Sequence, residues 1–234
     1  MRTHLSAFLL ALALSAPVDA ATRNFGITGF TRIRVEGPYR VQLATGVAPF
    51  AQASGSPAAL DRVAVEVQGN TLIVHPNRSS WGGYPDADAG PVEVKLGTHD
   101  LNAAWLNGSG ALAIDRVKGL GFDLSVQGSG LVSVGNAEVD QLKVSIAGTA
   151  SAALAGRADK MTAIVRGIST LDAAGLETKD ATIGAEGAAT VKAKVGNAAT
   201  IDATGPATII LGGGPACTVR ASGSATVSGC RSSH

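Results

Sequence analysis

Seven glycines recur at near-constant intervals through the C-terminal half of the chain. They are Gly108, Gly128, Gly148, Gly167, Gly187, Gly205 and Gly223, spaced 20, 20, 19, 20, 18 and 18 residues apart. A repeat of this length restricts the fold to stacked units, because one unit cannot bury an apolar face alone and its neighbours must cover it. With each anchor glycine as origin, three columns are apolar throughout. Two residues before the anchor stand Leu106, Val126, Ile146, Val165, Ala185, Ala203 and Ala221. Four before it stand Ala104, Leu124, Val144, Ala163, Ile183, Ile201 and Val219. Four after it stand Leu112, Val132, Ala152, Leu171, Val191, Ile209 and Val227. Mostly polar positions alternate with these, and a period of two is the signature of strand. The anchor glycine marks a bend where the backbone turns without a Cβ. Second glycines near the midpoint (Gly135, Gly156, Gly175, Gly196, Gly214) predict a repeat of strand, bend, strand, bend. The sequence therefore predicts an all-β parallel solenoid of about 20 residues per coil, with coils about 4.8 Å apart.

Stacking turns equal offsets into spatial neighbours, and the charges agree with the register that the apolar columns set. Asp123 and Lys143 share an offset, as do Lys160 and Asp180, Asp159 and Lys179, Arg166 and Glu186, Asp172 and Lys192, and Asp202 and Arg220. Ten residues before the anchor, Lys118, Glu138, Arg157 and Glu177 alternate in sign. Asp140 over Asp159 is the one clear like-charge neighbour. Opposite charges on adjacent strands are favourable and like charges are not. Each exposed pair contributes only about 0 to 1 kcal/mol, so their main value is as evidence of register. Two threonine columns follow the same offsets: Thr162, Thr182, Thr200 and Thr218, then Thr170, Thr190, Thr208 and Thr226. They read as β-formers on outward faces. Because they belong to different strands of the coil, they do not form the paired columns of an ice-binding face.

Residues 25–100 alternate over 30–35, 39–43, 63–67, 71–74 and 92–96 but do not repeat cleanly; Gly37-Pro38 and Gly69-Asn70 mark turns. This part is expected to prepare and cap the first coil. With no hinge-like linker in sight, residues 21–234 read as a single domain. The segment 79–90 reads as a long exposed loop.

The run FTRIRVEGPYRVQL from Phe30 to Leu43, the run VAVEVQGNTLIV from Val63 to Val74, and the Gly-Ser-Gly units at 108–110 and 128–130 carry a resemblance to a known family. They resemble the bacterial auto-transporter adhesin head GIN domain, over most of the chain beyond residue 20. That resemblance implies a single-stranded right-handed parallel β-helix and no catalytic residue. Later repeats depart from Gly-Ser-Gly, reading Gly-Thr-Ala, Gly-Ile-Ser and Gly-Ala-Ala.

Composition narrows the function classes. The net charge is +1 and 16% of residues are charged, with no basic stripe of the kind a nucleic-acid binder needs. Leu5–Ser15 is an apolar run too short to span a bilayer. The small-x-small site Val18-Asp19-Ala20 follows it, so residues 1–20 read as a signal peptide and the mature chain as starting near Ala21 without a transmembrane segment. Export makes a Cys217–Cys230 disulfide the favoured state over two buried thiols.

Sites of chemistry are few. His4, His75, His99 and His234 show no metal-ligand spacing, and Asp86-Ala-Asp-Ala-Gly90 lacks the later ligands of a calcium loop. No metal or cofactor is expected. Ser109 and Ser129 lack a nucleophile elbow and read as turn residues. Asp202 beside Arg220 could mimic a lyase or hydrolase site, but a stacked ion pair accounts for both. Trp81 and Tyr84 in the loop, and Trp105 on an outward offset, are the candidate ligand contacts. An exposed aromatic there would stack on a sugar or anchor a partner; alternatively, N-terminal strands cover Trp105. These readings favour an exported, non-enzymatic, adhesin-like solenoid of the cell envelope, lying in the periplasm, at the outer membrane or outside the cell. Its candidate partners are glycan, an envelope protein or a second copy of itself. The other reading is a carbohydrate-active solenoid enzyme, which would need a cleft of unpaired carboxylates.

Overall fold

The computed structural model describes residues 21–77 and 90–231. Residues 1–20, read from the sequence as a signal peptide, and Trp81, Tyr84, Asp86 and His234 lie outside the described residues. The chain forms a β-solenoid of about 6 turns with ~20 residues per turn. Its regular part runs through β8 (Ala103–Gly108), β9 (Ala111–Gly128), β10 (Leu131–Gly148), β11 (Ser151–Gly167), β12 (Thr170–Glu186), β13 (Thr190–Thr204), β14 (Thr208–Gly212), β15 (Ala216–Ser222) and β16 (Thr226–Ser228). Each of these pairs in parallel with the next coil. The register is the one the columns set. Leu106 sits against Val126, Val126 against Ile146, Ile146 against Val165, and Val165 against Ala185. All five are buried in one continuous core.

The anchor bend is built from backbone. Ser129 N donates to Gly108 O at 3.0 Å, Thr149 N to Gly128 O at 2.8 Å, and Ile168 N to Gly148 O at 2.8 Å. Ser129 therefore has a place in a turn. The second bend differs from expectation. Gly135, Gly156, Gly175 and Gly196 fall inside continuous strands of 15 to 18 residues rather than between separate ones. The corner is absorbed instead by register shifts, between Val134 and Ala137, Ala153 and Ala155, and Ala173 and Glu177. Local bulges of this kind bend a strand without ending it. Inward positions change along the stack from Phe122, Leu142 and Met161 to Ala181, Ala193, Ala199 and Ala203. The spacing of the anchors shortens from 20 to 18 toward the C-terminal end, and register shifts between β12 and β13 take up the difference.

The N-terminal part supplies more than a cap. Its strands are β1 (Ala21–Phe25), β2 (Arg32–Glu36), β3 (Arg40–Thr45), β4 (Phe50–Gly55), β5 (Val63–Gln68), β6 (Thr71–Pro76) and β7 (Glu93–Thr98), with a short helix α1 (Pro57–Leu60). β2 lies between β6 and β8, and β3 between β7 and β9. The coil made of β2 and β3 is thus inserted between a coil that follows it in sequence and the first regular repeat. Gly37 is its bend and stacks directly on Gly108: a Cβ built on Gly108 would lie 3.3 Å from Gly37 N. Asp115 pins the inserted coil to the next one by accepting from Thr45 N at 3.0 Å. β1, β4 and β5 run antiparallel to their neighbours and finish the N-terminal end.

The opposite end is closed by the Cys217–Cys230 disulfide, with a Cα–Cα distance of 5.7 Å. It constrains a short loop, which by chain entropy stabilises the folded end by about 3 kcal/mol. In a stack where each coil touches only its neighbours, that effect is local. Replacing Cys217 and Cys230 by serine is expected to raise amide exchange across β15 and β16 and leave β10 to β12 unchanged, measured by hydrogen–deuterium exchange.

Candidate functional site

The outer surface divides into charges that satisfy one another and charges that do not. Along one corner, Lys118 Nζ lies 3.9 Å from Glu138 Oε2 and Lys179 Nζ 2.8 Å from Asp159 Oδ1. Arg157 stands in register between Glu138 and Glu177, and Lys194 Nζ reaches Glu177 Oε1 at 2.7 Å. The hydrogen bond from Lys179 holds the Asp159 carboxyl below its ordinary range, and the bond from Lys194 does the same for Glu177. A glycosidase acid needs the opposite, a carboxyl raised so that it keeps its proton near neutrality. On the adjoining face, Arg166 Nε lies 3.0 Å from Glu186 Oε2.

Several expected neighbours meet in register without closing an ion pair. Asp180 is opposite Lys160, but its carboxylate accepts from Asn197 Nδ2 at 2.7 Å. Asp172 is opposite Lys192, but its Oδ1 accepts from Ala174 N at 3.2 Å. Asp202 and Arg220 are likewise opposite one another with no ion pair between them, which corrects the stacked ion pair expected there. Among the described residues no three His, Cys, Asp or Glu gather as metal ligands. His75 spends its ring on Glu66 Oε1 at 3.2 Å and the Pro76 carbonyl at 2.9 Å.

Trp105 stands on the outer side of β8, between Arg34 of β2 and Ser125 of β9. It is half-buried: flanked by N-terminal strand β2 without being covered by it. It borders a hollow of about 440 Å³ lined also by Arg32, Asn102, Asp123, Gln141 and Lys143. The hollow exists because Ala103 and Gly121 form its floor. An alanine and a glycine leave space where neighbouring rungs carry long side chains. Among the described residues no side-chain hydrogen bond or ion pair engages Arg32, Asn102, Asp123, Gln141 or Lys143, although Asp123 and Lys143 are in register. Five polar side chains with open donors and acceptors thus share the hollow with one aromatic ring, while at the corner ladder most charges are paired, Arg157 and Asp140 excepted.

Of the expected contacts, Trp105 alone falls within the described residues. The Asp123 and Lys143 pair follows from their shared offset, but Arg32 escapes sequence reasoning for a topological reason. Arg32 reaches the hollow only because β2 is inserted beside β8. A further hollow lies at the N-terminal end, lined by Phe25, Ile27, Pro49 and Phe50 together with Asn24 and Gln52.

This architecture is a one-chain β-solenoid that carries a polar-rimmed hollow beside an aromatic side chain on its outer face. The chain belongs to the family described as "Putative auto-transporter adhesin, head GIN domain", whose model matches residues 29–215. Three solved structures share the fold. One from Bacteroides fragilis, described as "a putative adhesin", has a TM-score of 0.79 at 17% identity, covering 89% of this chain and 96% of that one. One from Parabacteroides distasonis, described as "Putative lipid binding protein", has a TM-score of 0.72 at 18% identity, covering 90% and 96%. One from Parabacteroides merdae, described as "a putative adhesin", has a TM-score of 0.64 at 15% identity, covering 90% and 96%. No curated protein matches the chain. Among the described residues no helix is long and apolar enough to cross a membrane.

Proposed function

We propose that the chain is an exported, non-enzymatic, adhesin-like protein of the bacterial cell envelope that holds glycan in the hollow around Trp105. The observation that carries this reading is the gathering of five uncommitted polar side chains beside a half-buried indole, against a corner ladder in which most charges are paired. Amide, carboxylate and cationic side chains at one rim offer both donors and acceptors to sugar hydroxyls. The indole offers a flat apolar surface for a ring face. The family description, the disulfide and the apolar leader support export, since disulfides persist in oxidising compartments. Trp81 and Tyr84 belong to the same proposal as a second contact. An enzymatic reading finds less support, because Asp159 and Glu177 are held below the usual carboxyl range.

The test is a glycan array on residues 21–234. Trp105→Ala is expected to weaken the bound glycans by about tenfold or more, the loss typical of a central aromatic anchor, with an unchanged circular dichroism spectrum. Trp81→Ala with Tyr84→Ala tests the loop separately. Array binding indifferent to Trp105→Ala removes the hollow from the function.

A further inference from the structure

The hollow also indicates which class of sugar it takes. We propose that it binds an acidic sugar, one whose ring lies on Trp105 and whose carboxylate is held by Arg32. This rests on the glycan reading of the hollow and adds the charge of the ligand to it.

Among the described residues, the charges on this side of the solenoid leave one cation without a partner. On the strands that precede the anchor bends, nearly every cation has an acid beside it. Arg34 has Glu36 at 3.7 Å. Arg166 has Glu186, and Lys179 has Asp159. Lys143, Lys160 and Arg220 each have an aspartate directly opposite on the adjacent rung. Arg32 has Thr71 on one side and Ala103 on the other. Among the described residues of these strands it is the one cation with neither an ion pair nor an acid directly opposite it, since Arg34, facing Ile73 and Trp105, keeps Glu36 of its own strand, and it opens onto the Trp105 hollow. The lining of the hollow carries two cations, Arg32 and Lys143, against one acid, Asp123, and its Arg32 end has no acid directly opposite.

Guanidinium chemistry narrows the ligand further. The planar fork of arginine matches a carboxylate in two parallel hydrogen bonds, a geometry that lysine cannot offer. A ring stacked on the indole and extending over Ala103 would present its exocyclic carboxylate to Arg32, which stands opposite Ala103 on the rung above, two residues from the Glu36-paired Arg34 that faces Trp105 itself. Its hydroxyls would face Asn102, Asp123 and Gln141, which can donate or accept as needed.

The site can be blocked without disturbing the fold. Gly121 has an ordinary backbone conformation, and a Cβ built there meets nothing closer than Gln141 O at 3.6 Å. A leucine at this position would fill the floor.

The experiment is calorimetric titration of residues 21–234 with three probes: an oligogalacturonate, a neutral dextran oligosaccharide and dextran sulfate. The carboxylated probe is expected to bind about tenfold more tightly than the neutral one, the worth of a charge-assisted hydrogen-bond pair. Arg32→Gln is expected to bring it down to the neutral level without weakening the neutral probe. Gly121→Leu is expected to abolish both at an unchanged melting temperature. Equal binding of carboxylated and neutral probes, or a preference that survives Arg32→Gln, overturns the acidic-sugar assignment while the glycan reading stands. Dextran sulfate binding as tightly as the oligogalacturonate overturns it too, since attraction of any anion would then suffice. If no probe binds, or Gly121→Leu and Trp105→Ala leave all binding intact, the glycan reading fails as well.

Discussion

Gly148→Ala is expected to cost about 3 kcal/mol or more and to lower the melting temperature by roughly 6–12 °C, given the scaling for chains of this size. Two effects coincide at this position. Its φ of 105° lies in the region that side-chain-bearing residues avoid. A Cβ would also stand 2.4 Å from Gly128 O in the rung above. That oxygen cannot retreat, because it accepts from Thr149 N at 2.8 Å. Moving Gly148 away would stretch this bond and the one that Ile168 N makes to Gly148 O, so two inter-coil contacts fail together. Gly214→Ala is the control. Its φ of 63° is also positive, but a Cβ there meets no atom within 4 Å, and the expected cost is about 1 kcal/mol. Equal losses in urea unfolding at the two positions would mean that backbone conformation alone matters and that the close stacking of bends does not.

The contrast between these two glycines explains what sequence reading could and could not see. The regular repeats were legible because three columns counted from the anchors are apolar throughout and each anchor bend carries a glycine. Once those columns align, Arg166 must meet Glu186, and it does, at 3.0 Å. Adjacency was legible; what each side chain then does with its neighbour was not. Asp172 lies opposite Lys192 yet turns its carboxylate to the backbone of Ala174. An alternating ladder that ends at Glu177 in the sequence is completed in space by Lys194. There a register shift between Ala173 and Glu177 slides the shorter coil along its neighbour, and a fixed offset cannot follow a bulge. β1 and β4 lie outside the expected strands, because they run antiparallel at the end of the stack and share none of its columns. Trp105 was recognisable as an outward aromatic. Its setting depends on Arg32, and nothing local to either residue announces that they share a hollow.

The inserted coil makes the second large effect, expected from Val35→Asp. Val35 is fully buried between Val74 and Leu106. An aspartate there must either carry a charge in the core or bind a proton and remain unpaired, at a cost on the order of 4 kcal/mol or more. Because coils in a stack couple mainly to their neighbours, the damage should follow spatial order and not sequence order. In hydrogen–deuterium exchange, β2 and β3 are expected to lose protection together with β6 and β7, which hydrogen-bond to them across the insertion. β10 to β13 are expected to keep theirs. A solenoid threaded in simple sequence order would behave differently. Its first coil, residues 32–45, would be outermost and would fray alone, leaving 71–98 protected between later rungs. Retained protection over 71–76 and 93–98 in Val35→Asp would therefore contradict the insertion. It would also detach Arg32 from Trp105, since only the insertion brings β2 against β8.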